Sequence, residues 1–315
     1  MTEARVTEVE RLTVGLEAAG QRLDRFLAES VGGPSRTTWQ RRIAAGEVLV
    51  NHVPARAGYR VAAGDVIEVA PVPEAPPKAQ EPATAALPLT VIYEDDELAV
   101  LDKPAGLVIH PAHGHATGTL ADALLQRFPE LARWPAEEGY PGVVHRLDRD
   151  TSGVLLVART PAVRDALRAQ FKAGAVRKVY WALVIGHPKQ QRARIEAPIG
   201  RDPAERKRMA VVPDGRPAAT EYHVLEHLGS YSLLEVRPQT GRTHQIRVHL
   251  AAIGHPIAGD RVYGPQRQKL ALPRMFLHAR QITFCHPKTG REMTFQAPLP
   301  ADLAQALDQL RASPR

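Results

Sequence analysis

Apolar side chains recur at helical spacing from Gln21 onward: Leu23, Phe26 and Leu27 share a face that Arg22, Asp24 and Arg25 avoid. Gly32-Gly33-Pro34 ends this helix. Ser35 is placed to cap a second helix running through Ala45, with Trp39 and Ile43 inward and Gly46 at its C-terminal end. The period then shortens. Glu47 to Asn51 and the alternating Val66-Ile67-Glu68-Val69 predict strands, and Gly64-Asp65 predicts a turn. Residues 1–20 are polar and predict a flexible N-terminus.

Residues 71–88 break the pattern. Six prolines, at 71, 73, 76, 77, 82 and 88, stand among few apolar side chains, the composition of a semi-rigid linker. The expected organisation is a small domain over 21–70, this linker, and a large domain over 89–315. In the large domain Leu89 to Tyr93 and Leu98 to Leu101 predict strands around the acidic turn Glu94-Asp95-Asp96. Thr119 to Arg127 predicts a helix with Leu120, Leu124 and Leu125 inward. Val154 to Ala158 is an unbroken apolar run begun by Gly153 and closed by Arg159, as in a buried strand. Pro161 to Ala173, Gln245 to Ile253 and Asp302 to Ala312 predict helices; Val179 to Ile185, Ala219 to Glu226 and Ser232 to Arg237 predict strands. Helices and strands mix without regular alternation, so a doubly wound parallel sheet is not expected.

Composition narrows the partner more than the fold. The 315 residues suit two domains, and 44% hydrophobic content with 5% aromatics gives a sizeable, mostly aliphatic core. A formal net charge of +7 fits a polyanionic partner, most simply nucleic acid, although a merely basic enzyme shares it. The single cysteine, Cys285, excludes an intrachain disulfide and fits a reducing compartment. The start Met1-Thr2-Glu3-Ala4-Arg5 lacks the apolar core of a signal peptide. No apolar run approaches the roughly 20 residues that span a bilayer, so a cytoplasmic protein is expected.

The chemistry concentrates in Val144-His145-Arg146-Leu147-Asp148-Arg149-Asp150-Thr151-Ser152-Gly153. A charged turn fixed to a buried strand can hold a carboxylate rigidly in a cleft. On extended backbone Asp148 and Asp150 point to one face, as a carboxylate pair would. The plain alternative is a solvated turn whose Asp, Thr and Ser side chains bond locally. His110, His113 and His115, with His145, have spacings that zinc sites reuse. Arg201, Arg206, Lys207, Arg208 and Arg216 crowd a turn around Asp214-Gly215, which reads as a basic hairpin or as a solvated one.

His145-Arg146-Leu147-Asp148-Arg149-Asp150-Thr151-Ser152-Gly153 resembles the signature of the RluA/RluD family of RNA pseudouridine synthases. Further resemblances follow in the family's order: Asp102 to Pro111, Lys178-Val179-Tyr180, Thr240 to His249, Gly259-Asp260, Tyr263-Gly264, Leu277-His278-Ala279 and His286-Pro287. They span residues 20 to 300, and their pattern is nearest the RluD-type branch. The helix–helix–strand unit opened by Ser35-Arg36 resembles the small RNA-binding S4 domain. Its hairpin carries Asn51-His52 where Asn-Gly is common, which makes positive φ costlier.

The resemblance implies an α+β fold: a mixed, largely antiparallel central sheet flanked by helices, plus the small S4-like α/β domain. It implies isomerisation of uridine to pseudouridine in RNA, with 23S large-subunit ribosomal RNA the expected substrate and another ribosomal or transfer RNA site the alternative. Asp148 matches the catalytic aspartate, which could attack the sugar, attack the ring or remove a sugar proton. Arg247 matches its arginine partner, and a cation there keeps a buried carboxylate ionised. Tyr180 matches the tyrosine that packs on the target uracil once the nucleotide is flipped out. Arg146 matches the arginine that fills the vacated space, with His145 and Lys178 as neighbouring RNA contacts. Arg36, Arg41 and Arg42 would form a basic helix face, and Arg206 and Arg208 would grip the backbone beside the cleft. The reaction needs no cofactor and no metal, which turns the histidine spacing into polar loop contacts. A monomer is expected. Rival readings are a non-catalytic RNA-binding assembly factor and a glycosidase using Asp148 with Asp150; release of free uracil would distinguish the latter.

Overall fold

A computed structural model describes residues 10–31, 36–70, 89–109, 118–134, 142–205 and 208–312, with the Arg36 and Thr37 side chains left out. The described residues form two compact units, one up to residue 70 and one from residue 89. No helix among them is long and apolar enough to cross a membrane. The expectations for the linker, for Ser35 as a cap, for the Arg36 side chain, for Arg206 and Lys207, and for His110, His113 and His115 lie outside the described residues.

In the first unit, helices α1 (Leu23–Ser30) and α2 (Arg36–Ala44) pack on a four-stranded sheet. Its strands are β1 (Glu10–Thr13), β2 (Val48–Val50), β3 (Val53–Pro54) and β4 (Val66–Val69), in the order β1-β4-β2-β3. Leu23, Leu27, Trp39, Val48 and Ile67 are fully buried between the layers. A flexible stretch over 1–20 is not what stands from Glu10 on. β1 pairs with the whole of β4, Arg11 bonds Glu68 at 2.9 Å, and Val14 is buried. Two apolar positions, Leu12 and Val14, were too short a pattern to show an edge strand.

The hairpin after β2 puts Asn51 and His52 at φ 50° and 66°, both left-handed. For residues with a Cβ this costs about 1–2 kcal/mol each. Local bonds offset it. Asn51 donates to Asp65 and accepts from the Val66 N–H, both at 2.9 Å, while His52 Nδ1 meets Glu68 at 2.9 Å.

The second unit is built on a nine-stranded sheet, β5-β6-β7-β14-β8-β13-β12-β9, with β15 also paired to β14. Its strands are β5 (Thr90–Glu94), β6 (Leu98–Lys103), β7 (Ser152–Ala158), β8 (Arg177–Ile185), β9 (Arg192–Glu196), β12 (Ala219–Leu228), β13 (Tyr231–Pro238), β14 (Leu277–Cys285) and β15 (Glu292–Gln296). A separate hairpin joins β10 (Ile199–Arg201) to β11 (Met209–Val211). Helices α3 (Leu120–Arg127), α4 (Pro161–Lys172), α5 (Gln245–Ala252) and α6 (Ala301–Ala312) flank the sheet. The architecture is the expected α+β class. α3 opens with a capping box in which Thr119 and Asp122 satisfy each other's backbone N–H. Leu120 and Leu124 are buried as expected, but Leu125 is 37% exposed, because the buried arc of so short a helix is narrow.

One junction positions everything that follows. Every pairing in the large sheet is antiparallel except β7 with β14, which touch only at His278–Ser152 and Ala279–Gly153. Gly153 sits at φ +111°, and a Cβ there would lie 2.2 Å from the Ala279 carbonyl oxygen. Only glycine lets the two strands approach. Beyond this contact β14 leaves β7 and pairs with β15 through Gln281–Cys285. The sheet thus splits in its middle, and the loop bearing Asp148 enters at the split.

Candidate active site

The 148–152 loop is held by its backbone. Lys103, at the end of β6 and 1% exposed, donates to the carbonyls of Pro104, Arg149 and Thr151 at 2.9, 2.9 and 3.0 Å. Arg274 donates to the Asp150 carbonyl at 3.1 Å and to Ser152 Oγ at 3.2 Å, and is itself gripped by Asp302 of α6 at 2.7 and 3.1 Å. The Asp148 carbonyl takes the Thr151 N–H, which closes a turn. Two buried cations therefore fix four successive residues, as carbonyls without water require. Burial pulls Lys103 down to about 8, against the opposing pull of Asp150.

The turn separates the two carboxylates. Asp148 faces a cavity of about 380 Å³, while Asp150 is absent from its lining and pairs on the surface with Arg149 at 2.9 and 3.0 Å. The backbone there is a turn and not the extended run that would align them.

Arg247, on α5, reaches Asp148 through Nη1 at 3.0 Å. Its other edge makes a two-point contact with Asp260, at 2.7 and 3.0 Å, and Asp260 also accepts the N–H groups of Val262 and Tyr263. Asp260 has no exposed side-chain surface and Arg247 has 8%. Burial alone would lower the Arg247 pKa, but the bonds and charge of Asp260, then those of Asp148, outweigh it and hold the guanidinium above its ordinary range. Burial raises Asp260, and the Arg247 bond more than reverses that. Gln245 aims this helix. Its amide donates to the Ala219 carbonyl and Thr220 Oγ1, and its oxygen accepts from Thr240 and the Arg242 N–H.

Tyr180, in β8 between β13 and β14, is 9% exposed and lines the same cavity. Burial, and secondarily the Asp148 carboxylate, push its phenol well above the usual value, so the ring stays neutral. Leu147, Ile246 and Leu277 supply apolar wall beside it. Exposed Arg146 stands at the rim. His145 and Lys178 also line the cavity, but His145 is partly engaged. Its Nε2 accepts the Leu156 N–H at 2.9 Å on the edge of β7 that β14 vacates, and its ring packs on Phe171. Burial, then the charge of Lys178, hold His145 down to about 3; burial alone holds Lys178 down to about 8.

Two arginines stand elsewhere than expected. Arg42 is buried, not on a basic face. It stacks 5.1 Å over Trp39, bonds Glu47 at 2.7 Å and reaches the Ala70 carbonyl at 2.6 Å. Position 42 is three residues from Trp39 and so shares its core face. Arg41, next to it, is exposed. Arg208 packs 5.1 Å from the Tyr263 ring, whose centroid lies 4.9 Å from Arg247, so it backs the cavity wall. Lys103, Asp260, Tyr263 and Arg274 went unassigned in the sequence. Lys103, Asp260 and Tyr263 lie in the family-like motifs, yet no spacing shows that Asp260 and Tyr263 turn toward Arg247.

A fixed carboxylate, its two-sided arginine and a neutral aromatic face in one half-open cavity suit chemistry on a flipped-out base. Comparison with known proteins agrees. Residues 97–252 match the RNA pseudouridylate synthase family and residues 21–67 match the S4 domain. Over 291 residues the chain is 53% identical to a Chloroflexus aurantiacus protein named as an uncharacterized RNA pseudouridine synthase, covering 92% of this chain and 90% of that one. Over 310 residues it is 42% identical to ribosomal large subunit pseudouridine synthase D of Nitrosomonas europaea, covering 96% and 88%. The solved human RNA Pseudouridylate Synthase Domain Containing 4 aligns with a TM-score of 0.57 at 26% identity, over 70% of this chain and 93% of that one. With the cavity and the sheet that frames it, this kinship shows that the chain belongs to the RNA pseudouridine synthase family.

Proposed function

We propose that the protein converts uridine to pseudouridine in large-subunit ribosomal RNA, using Asp148 as the catalytic carboxylate. The observation that carries the reading is the convergence of Asp148, Arg247 and Tyr180 on one cavity. The reaction breaks the bond from C1′ to uracil N1 and makes one from C1′ to C5. No electron or group enters or leaves, so the chemistry calls for no cofactor. Asp148 faces the sugar carbon, Arg247 keeps it ionised and oriented, and Tyr180 packs on the base. Arg146 takes the place left in the RNA helix, with Lys178 as an RNA contact beside it. The S4 domain supplies phosphate contacts through exposed Arg41 and through Arg36. The relatives named for the large ribosomal subunit favour that RNA, and a cytoplasmic site of action follows from it. A glycosidase pairing Asp148 with Asp150 is disfavoured, because Asp150 is turned out of the cavity.

The test is pseudouridine mapping in ribosomal RNA from cells lacking the protein, complemented with variants. Wild type and Asp150→Asn are expected to restore the missing site and Asp148→Asn is not, while Asp148→Asn keeps its RNA affinity. A complete map in the deletion strain, or restoration by Asp148→Asn, would overturn the assignment.

A further inference from the structure

The proposed mechanism does not use His244, yet among the described residues it is, with Arg247, one of the two basic side chains within 4.0 Å of the Asp148 carboxylate: its Nε2 lies 4.0 Å from Asp148 Oδ2. That is too long for a hydrogen bond. It leaves room for a third group beside the carboxylate. His244 lines the cavity and its side chain is 24% exposed. It precedes α5 at φ 56°, the one non-glycine residue in left-handed conformation among the described residues of the second unit. Such strain costs about 1–3 kcal/mol and persists where surrounding bonds over-determine it.

Those bonds are present. His244 Nδ1 lies 2.8 Å from the Tyr263 hydroxyl, and the Tyr263 oxygen accepts the Met209 N–H at 3.0 Å. The Tyr263 ring is wedged between Arg247 and Arg208. With its oxygen already accepting from Met209, the phenol is placed to donate its O–H hydrogen bond to Nδ1 while keeping the proton. The imidazole proton then sits on Nε2, the nitrogen that faces Asp148. Burial, the largest influence, holds the ring below the usual imidazole range; Asp148 and Asp260 favour a cation, and Arg247 and Arg146 oppose it.

We propose that His244 is a catalytic residue that donates a hydrogen bond from Nε2 to the O2 carbonyl of the target uracil. The inference rests on the reading that Asp148 works at C1′. With the carboxylate at that carbon, the part of the base beside it is N1 and the adjoining C2 carbonyl with its O2, whereas O4 lies across the ring. As C1′–N1 breaks, the bonding pair leaves with N1 and spreads onto O2 and O4. The Nε2 proton stays on the imidazole, and its bond to O2 strengthens as charge builds there. When C1′–C5 forms, C5 loses its proton and N1 ends protonated, so the base gains and loses nothing.

The test is single-turnover rate on the ribosomal RNA stem-loop identified by mapping, made with uridine, 2-thiouridine or 4-thiouridine at the target. Sulfur is a poorer acceptor than oxygen. His244→Asn tolerates the left-handed backbone but withdraws the donor; His244→Gln can return one near Nε2. Tyr263→Phe leaves residue 244 itself intact and frees the tautomer. A roughly 100-fold rate loss is expected for Asn, in the range of one lost transition-state donor, with partial recovery in Gln and RNA affinity unchanged. The 2-thio substitution should slow wild type, slow Tyr263→Phe less, and leave Asn nearly unaffected, while 4-thio affects all alike. Equal 2-thio effects in wild type, His244→Asn and Tyr263→Phe, or wild-type rates in His244→Asn, would overturn the inference. Failure of wild type to modify any RNA would instead sink the reading on which it rests.

Discussion

Arg247 holds two carboxylates on one guanidinium, and its variants should separate stability from rate. Arg247→Met strands Asp260, which has no exposed side-chain surface, so about 3–5 kcal/mol of stability should go with it. Arg247→Lys keeps a charge near Asp260 but lacks the planar fork that spans to Asp148. It should melt closer to wild type and still lose most turnover, with RNA affinity little changed. Melting curves with single-turnover rates check this, and wild-type turnover in either variant would refute the ion-pair role. The residues of this centre were legible unevenly. Asp148, Tyr180 and Arg247 each sit in a contiguous motif, and the structure brings all three to one cavity. Asp260 and Tyr263 come from an irregular segment, where no period says which way a side chain turns. The charge of Arg42 suggests a surface face, but its helical phase, three residues from Trp39, turns it inward.

At the scale of elements, the split between β7 and β14 is stitched by two histidines. His145 caps the Leu156 N–H, and His278 bridges Ser152 Oγ at 3.0 Å and the Ala297 carbonyl at 3.2 Å. Burial is the leading cause that holds them down to about 3 and about 4. Both folded values lie below the roughly 6.5 of an unfolded histidine. The unfolded chain thus binds protons first, so this stability is complete above pH 6.5 and is lost as pH falls toward 4. Buried Asp260 and half-buried Asp302, lowered from 3.8, titrate below that window. Denaturant midpoints between pH 8 and 4 should fall from 6.5 downward, and the double variant His145→Gln, His278→Gln should flatten the fall; an equally steep fall would assign it to other groups. Long periodic elements were legible almost to their ends, as in Pro161–Lys172 and Arg177–Ile185. The short ones were not. β1, β3 and β15 carry too few alternations to stand out, and the split itself depends on a backbone approach that only Gly153 signals.

At the scale of the molecule, each unit has its own core, so a fragment beginning near residue 87 should fold and keep the reaction. It should lose the phosphate contacts proposed for Arg41 and Arg36, but none from Arg42, whose guanidinium bonds within the first unit. Each lost contact flattens the log–log salt dependence of RNA binding by roughly 0.7 to 0.9. RNA affinity over a salt series, with modification mapped in parallel, checks this; an unchanged slope and unchanged site choice would show that residues 21–70 do not bind RNA. The clamp on the 148–152 loop has a consequence in time. Asp148 is synthesised well before Arg274, and Arg274 is held by Asp302, 154 positions after Asp148. At about 5–20 residues per second, translation covers that interval in roughly 8 to 30 s. Over the first 99 of those positions the nascent chain carries the Asp148 carboxylate without Arg247, and until the last of them its clamp lacks Asp302. If the protein acts on ribosomal RNA as proposed, it is therefore expected to stay inert until its own synthesis is nearly finished.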